Sequence, residues 1–175
     1  FDITQEPEQM HELYGKSNFG QGCLLARRLV ENQVRYVEVS RGGWDTHDNN
    51  FEAVAENCMD IDKALSALLL DLEMRGLLKE TMVVLTSEFG RTPKISLLSD
   101  SFNEPGRDHW GAVQTVFFAG GGVQGGRVIG ASDKIAAYPA ADPQTPENMA
   151  ATMYHCLGIP HTTAWHDEEE RPHHI

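Results

Sequence analysis

The pattern of apolar and polar positions along the chain predicts a small set of helices and strands. Apolar residues recur every three or four positions over 18–31 and 51–75, which is typical of amphipathic α-helices. Residues 34–39 are β-branched and alternating, and residues 81–86 are almost continuously apolar, so each predicts a strand. A third strand is predicted over 112–119. A last helix is predicted over 146–157, with Thr145 as N-cap and Gly158 beyond its end.

The order of these elements predicts an α/β architecture. A strand, a long helix and a second strand form a βαβ crossover, in which the two strands are parallel and belong to one sheet. We therefore expect strands 34–39 and 81–86 to be parallel. No linker or repeat interrupts the pattern, so residues 1–175 are expected to form a single α/β domain.

Composition narrows the classes of function. The chain has 14 basic and 26 acidic residues, a net charge of −12, and it would therefore repel a nucleic-acid backbone. No run approaches the roughly 20 apolar residues of a membrane span, so none is expected. The three cysteines lack Cys-x-x-Cys spacing, which argues against a zinc ribbon. The first residues resemble neither a signal peptide nor a start, and we expect them to be internal to a longer chain.

Polar residues that could bind a metal lie next to the predicted strands. Asp45 and His47 follow the first strand and Glu88 follows the second, and ligands bind at the carboxyl ends of parallel strands. His109 precedes the third strand, so it reaches the same edge only if that strand is antiparallel, as we expect. Carboxylate oxygen and imidazole nitrogen are the usual ligands of a catalytic Zn²⁺ or Mn²⁺ ion.

Structural roles are open for each of these residues. Asp45 could cap a turn, His47 could be an exposed loop residue, and Glu88 could form an ion pair with Arg91. The glycines at 42–43 and 120–122 lack the context of a dinucleotide site and predict turns. The chain also has no Gly-x-Ser-x-Gly elbow.

Three motifs in order resemble those of a known family over nearly the whole chain. They are Gly42-Gly43-Trp44-Asp45-Thr46-His47, Ser87-Glu88-Phe89-Gly90-Arg91-Thr92-Pro93 and Gly106-Arg107-Asp108-His109-Trp110-Gly111. The family is a bacterial, sulfatase-like one, the domain of unknown function numbered fifteen-oh-one, in the alkaline phosphatase superfamily. The resemblance implies an alkaline-phosphatase-like layered α/β/α fold, of which this chain is the C-terminal part. Its sheet would be mixed, with parallel strands and one antiparallel strand.

The resemblance also implies a metal centre that handles an anionic ester. Asp45, His47 and His109 would bind a first divalent metal, zinc being favoured over Mn, Ca or Mg, and Glu88 would bind a second. Arg91 and Arg107 are the expected catalytic residues. Two departures stand out. Asp45 and His47 are closer than the superfamily's Asp-x-x-x-His, and Phe89 replaces the His or Asn that usually follows the carboxylate of the second metal.

The implied function is metal-dependent hydrolysis of phosphate or sulfate esters. The nucleophile and a further metal-binding Asp would lie on an N-terminal half of the same chain, outside these 175 residues. The alternatives are a non-catalytic, metal-stabilised or binding module that keeps the fold, and a phosphosugar mutase. The expected partners are a small anionic ester and that N-terminal half, and the family suggests an exported or periplasmic bacterial protein.

Overall fold

The computed structural model describes residues 2–174, which group into two compact units. Unit 1 comprises Phe1–Thr81 and Arg91–His109, and unit 2 comprises Met82–Gly90 and Trp110–Ile175. The expectation that they form one domain stays a prediction. The helices are α1 (Glu8–Tyr14), α2 (Asn18–Glu31), α3 (Asn50–Met74) and α4 (Pro146–Cys156). Within residues 2–174, none of the helices has the length and apolar character needed to cross a membrane.

The strands are short and pair two by two. They are β1 (Val83–Leu85), β2 (Gly90–Arg91), β3 (His109–Trp110), β4 (Phe117–Ala119), β5 (Ala131–Ser132), β6 (Pro139–Ala141), β7 (Ala164–His166) and β8 (Pro172–His174). Their pairings are β1 with β4, β2 with β3, β5 with β6, and β7 with β8.

Helix boundaries in unit 1 follow the capping residues of the sequence. The Ser17 side chain accepts a hydrogen bond from the backbone N–H of Gly20 at 3.0 Å, and α2 begins at the next residue. Helix α3 ends just before Gly76, whose φ of +73° is the left-handed conformation that ends a helix without steric cost. The two long helices predicted from periodicity are thus confirmed, to within a residue at each end.

The core of unit 1 lies where α1, α2 and α3 meet. It is a cluster of five buried residues: Tyr14, Cys23, Leu24, Ala64 and Ala67. The two alanines let α3 approach its neighbours closely, because they put only a methyl group at the contact. Burial also raises the pKa of the Cys23 thiol to about 11, so that group stays protonated and apolar at neutral pH.

A buried ion network fastens the same helices together. Arg27 of α2 is only 1% exposed, and its guanidinium lies 2.8 Å from Glu6, 2.8 Å from Glu31 and 3.0 Å from Asp71. Tyr14 donates a hydrogen bond of 3.0 Å to the same Asp71 carboxylate. A buried charge is tolerable only with such partners, so the network fixes how the helices pack.

The strand predicted over residues 34–39 is not formed among the described residues. The alternation that predicted it is present, since Val37 and Val39 are half-buried whereas Glu38 and Ser40 are exposed. Val39 packs against the helical core, so the apolar side of this segment is covered by helices. The alternation therefore reflects packing of the apolar side chains against helices, and not pairing of this segment in a hydrogen-bonded ladder.

The second and third predicted strands do pair within unit 2. Strands β1 and β4 are antiparallel, with Val83 opposite Ala119 and Leu85 opposite Phe117. This orientation agrees with the one expected for the strand that follows His109. The parallel pairing and the layered α/β/α fold class stay predictions. Helix α4 begins at its predicted position, where Thr145 and the third helical residue, Asn148, cap each other reciprocally.

Removing the buried guanidinium should destabilise unit 1 strongly. We expect Arg27→Ala to lower the free energy of unfolding by about 3–5 kcal/mol, because it empties a buried position and removes one of the two arginines that neutralise the buried Asp71 carboxylate, the other being Arg75. The matched control is Arg28→Ala, since Arg28 is 23% exposed and lies 3.3 Å from Glu6. That change should cost less than about 1 kcal/mol. Urea unfolding measures both, and equal losses would contradict the assignment.

The C-terminal hairpin of β7 and β8 should loosen in acid. The Asp167 carboxylate lies 3.0 Å from His173 Nε2 and accepts backbone N–H bonds from Glu169 and Arg171, and these contacts lower its pKa from 3.8 to about 2. Because the folded state lowers the pKa of Asp167, its ionised carboxylate contributes its full stabilisation at pH values above the ordinary pKa of 3.8. That contribution is lost as the pH falls through the folded-state pKa of about 2.

The stacking of Trp165 on His173, with ring centroids 4.6 Å apart, offers an NMR probe of this loss. The ring contact should weaken between pH 4 and 2 in the wild type. Asp167→Asn should remove this pH dependence, whereas the control Glu169→Gln should keep it. An unchanged acid transition in Asp167→Asn would refute the role of this carboxylate.

Candidate metal centre

Polar side chains of α3 hold the loop that carries Asp45 and His47. Asn57 is 6% exposed and donates to the carbonyl of Gly43 at 2.7 Å. Arg41 donates to Asn57 Oδ1 at 2.6 Å and forms an ion pair with Asp60 at 2.9 Å. Asn57 and Asp60 are three residues apart and so lie on one face of the helix. The loop is therefore fastened to α3 by side chains in place of a ladder.

A tight turn sets the direction of Asp45. The N–H of Thr46 donates to the carbonyl of Trp44 at 2.8 Å, which places Asp45 at the apex of a three-residue turn. Asn50, at the start of α3, donates to the carbonyl and to the hydroxyl of Thr46, both at 2.9 Å. Thr46 is thus held toward the helix. Asp45, directly before Thr46, and His47, directly after it, project away from this contact with Asn50.

The segment that carries His109 is held by β2. The N–H of Thr92 donates to the carbonyl of Asp108 at 2.8 Å, and the N–H of Asp108 donates back to the Thr92 hydroxyl at 2.9 Å. Farther out, Ser96 and Gly106 form an antiparallel bridge. The segment between Arg91 and His109 is thus folded into a paired excursion, which returns the chain at His109 to the strand from which the segment began.

Gly106 is where the two ligand-bearing segments touch. A Cβ at this position would collide with the backbone carbonyl of His47. Only glycine lets the chains approach so closely. Nearby, Asp48 accepts a hydrogen bond from the N–H of Glu104 at 2.9 Å, which adds a second link between the same segments.

Asp45, His47 and His109 converge on one point. The Oδ1 atom of Asp45 lies 2.8 Å from His47 Nε2 and 2.9 Å from His109 Nε2. The two imidazole centroids are 4.8 Å apart. One possible ligand atom from each of the three residues lies within 4.8 Å of the others. The shortened Asp-x-His spacing therefore still brings both side chains to the cluster.

The electrostatics of the cluster favour an ionised carboxylate. The hydrogen bond with His109 holds the pKa of Asp45 below its ordinary value, and His47 acts in the same direction. A fourth group, the Asp108 carboxylate, lies 3.7 Å from Nδ1 of His47. It also accepts the backbone N–H of His109 at 2.8 Å, which fixes its position. A carboxylate beside the non-ligating nitrogen is the usual companion of a metal-binding histidine.

The donor set fits a divalent transition metal. One carboxylate oxygen and two imidazole nitrogens are the composition of many catalytic zinc sites. Ligand atoms of a tetrahedral zinc ion stand about 3.3 Å apart, as bond lengths near 2.0–2.2 Å imply. The separations of 2.8 and 2.9 Å between Asp45 and the two imidazoles need only a small widening to reach that value. Asp45 is 78% exposed and His109 is 44% exposed, so the cluster is open to solvent.

Arg91 and Arg107, the predicted catalytic residues, donate to main-chain carbonyls. Arg91 donates to the carbonyls of Arg107, at 2.9 Å, and of Trp44. Arg107 donates to the carbonyls of Thr92, at 2.6 Å, and of Arg91, at 3.3 Å. These bonds tie the three motifs of the sequence together. A contact of either guanidinium with substrate stays a prediction.

Glu88, the predicted ligand of a second metal, belongs to unit 2, whereas Asp45, His47 and His109 belong to unit 1. It is an exposed residue after β1 in unit 2. The group of three ligand atoms found in the described residues does not include it. Its ligand role stays a prediction.

The whole chain, including the three motifs around the cluster, matches one known protein family. Residues 1–175 match the family model described as "Protein of unknown function (DUF1501)". The chain belongs to this family. No curated protein and no solved structure matches it. The family resemblance inferred from the three motifs is thereby confirmed at the level of DUF1501, and its link to the alkaline phosphatase superfamily stays a prediction.

Four residues around the cluster were missed by the sequence reasoning. Arg41, Asn57 and Asp60 hold the loop, and Asp108 lies beside Nδ1 of His47. A signal was available, because Asn57 and Asp60 are polar residues near the buried side of an amphipathic helix. A polar residue at such a position needs a hydrogen-bond partner, because burying an unpaired polar group is costly.

Crowding Gly106 should disturb the centre. We expect Gly106→Ala to cost about 1–3 kcal/mol of stability and to weaken metal binding, because the new methyl group must displace the His47 carbonyl. Gly42→Ala is the matched control in the same unit, since a Cβ there has no atom within 4 Å. It should change stability by less than about 0.5 kcal/mol. Urea unfolding and zinc titration measure both variants, and identical behaviour would refute the close contact.

Proposed function

We propose that this protein is a metal-dependent hydrolase of phosphate or sulfate esters, with its metal held by Asp45, His47 and His109. The observation that carries the proposal is the convergence of their ligand atoms within 4.8 Å. Two of the three ligands are imidazoles, which favour Zn²⁺ or Mn²⁺ over the oxygen-seeking Mg²⁺ and Ca²⁺. When bound, such an ion polarises an ester oxygen and offsets the charge of the transition state.

In this proposal, residues of this chain bind the metal and orient its ligands. Asp45 supplies an anionic oxygen at neutral pH, since its pKa is lowered. The Asp108 carboxylate lies near Nδ1 of His47, at 3.7 Å, and Nε2, which faces Asp45, is the nitrogen available to the metal. The open side of the cluster, where Asp45 is most exposed, gives a small ester room to approach.

Other parts of the proposal rest on the family resemblance. The nucleophile and a further Asp are assigned to a preceding N-terminal half, and Glu88 to a second metal. Export from the bacterial cytoplasm belongs to the same group of expectations. Hydrolysis by this chain alone should accordingly be slow, because in-line displacement needs both the attacking and the leaving oxygen stabilised.

A non-catalytic, metal-stabilised module is the second candidate. One observation favours it: the guanidinium groups of Arg91 and Arg107 donate hydrogen bonds to main-chain carbonyls and thereby hold the loops. In that case the metal would cross-link the two segments and raise stability without turnover. A phosphosugar mutase has no such observation in its favour.

Metal analysis and turnover separate these functions. We expect the protein to bind Zn²⁺ through the cluster, and His109→Ala and Asp45→Ala to lower zinc affinity by about tenfold or more. The matched control is His161→Ala, because His161 is an exposed histidine of unit 2. Isothermal titration gives the affinities, and aryl phosphate and aryl sulfate serve as substrates for the full-length polypeptide.

The outcomes point in different directions. Zinc binding with turnover that fails in both cluster variants supports the hydrolase. Zinc binding that raises the melting temperature without turnover of either ester supports the metal-stabilised module. Equal zinc affinity in the wild type, His109→Ala and Asp45→Ala would sink both.

A further inference from the structure

One guanidinium connects the two segments that carry the candidate ligands. Arg91 donates through Nη1 to the carbonyl of Arg107 at 2.9 Å and through Nη2 to the carbonyl of Trp44. The first carbonyl lies two residues before His109. The second lies directly before Asp45. Arg91 itself is in β2, which pairs with the strand containing His109.

The Trp44 carbonyl is the pivot of the turn that presents Asp45. It accepts the N–H of Thr46 at 2.8 Å as well as the arginine donor. A carbonyl oxygen has two lone pairs, so both bonds can form together. A shift of this oxygen would rotate the peptide that precedes Asp45. The position of the guanidinium therefore sets the direction of that carboxylate.

The arginine is itself held in place from the other side. Arg107 donates to the backbone carbonyls of Arg91, at 3.3 Å, and Thr92, at 2.6 Å. Each arginine thus binds the backbone of the other's segment. Arg91 is half-buried, which limits the alternative positions of its side chain.

We propose that Arg91 is a positioning residue that sets the spacing between Asp45 and His109, rather than a group that binds the substrate anion. The inference rests on the proposed function, because it deepens the account of the same metal centre. It depends on the planar fork of arginine, which can donate to two carbonyls in fixed directions. A lysine ammonium has the charge but lacks the fork.

Three variants test the proposal through zinc affinity and ester kinetics. Arg91→Met keeps much of the length and removes the donors, Arg91→Lys keeps the charge, and Arg28→Met is the matched control. Arg28 also donates to a backbone carbonyl, that of Asp2 at 2.9 Å, and its ion-pair partner is Glu6, so the contacts that it makes here lie away from the cluster. Isothermal titration with Zn²⁺ and the kcat and KM for an aryl phosphate are measured on the full-length protein.

We expect both Arg91 variants to bind Zn²⁺ about 10–100-fold more weakly, as loss of a supporting contact behind a metal ligand usually does. Arg28→Met should keep wild-type zinc affinity. At saturating zinc, KM should stay near the wild-type value. Wild-type zinc affinity in Arg91→Lys would overturn the proposal. So would a raised KM with unchanged zinc affinity, because that split identifies a substrate contact.

Failure of the proposed function gives a different result. If the wild type binds no zinc, hydrogen exchange of the amides of Thr46 and His109 decides the positioning role. Faster exchange in Arg91→Lys at these amides, with Arg28→Met unchanged, then supports it, and unchanged exchange overturns it. If Arg91→Met does not fold by circular dichroism, the lysine variant carries the test.

Discussion

The candidate metal centre depends on one constraint: the main-chain carbonyls of the loop around Asp45 need hydrogen-bond partners that no sheet supplies. The loop around Asp45 has no ladder to bind its backbone groups, and polar groups left unpaired away from water are costly. Side chains meet this need: Asn57 binds the carbonyl of Gly43, and Arg91 binds that of Trp44. The residues that satisfy the backbone therefore also determine where the candidate ligands point.

The helical core gives these side chains a fixed base. Helix α3 contributes Ala64 and Ala67 to the core, and Asn57 and Asp60 farther toward its N-terminus hold the loop. Asp60 also accepts a hydrogen bond from Ser17, the cap of α2, at 2.5 Å. The loop is thus connected to two helices through one carboxylate. Core packing and ligand geometry therefore both depend on the position of α3.

Local patterns predicted more of this molecule than long-range ones did. The helices follow from the spacing of their own side chains and from caps such as Ser17 and Gly76, all of which is legible within a few residues. The segment 34–39 has the alternation of a strand, but alternation reports only that one side is covered, and here Val39 is covered by helices. The grouping of His109 with Asp45 was expected from sheet edges. The structure achieves it through Gly106, β2 and arginine bonds, which depend on contacts distant in sequence.

The short Asp-x-His spacing is consistent with this kind of construction. The turn at Asp45 directs Thr46 toward Asn50, which binds its hydroxyl and carbonyl. Asp45 and His47, on either side of Thr46, both reach the cluster. The longer Asp-x-x-x-His spacing would require extra chain between the ligands. With Gly106 in contact with the His47 carbonyl, a longer loop would have to displace the segment that delivers His109. The spacing and the glycine are therefore two parts of one geometric solution.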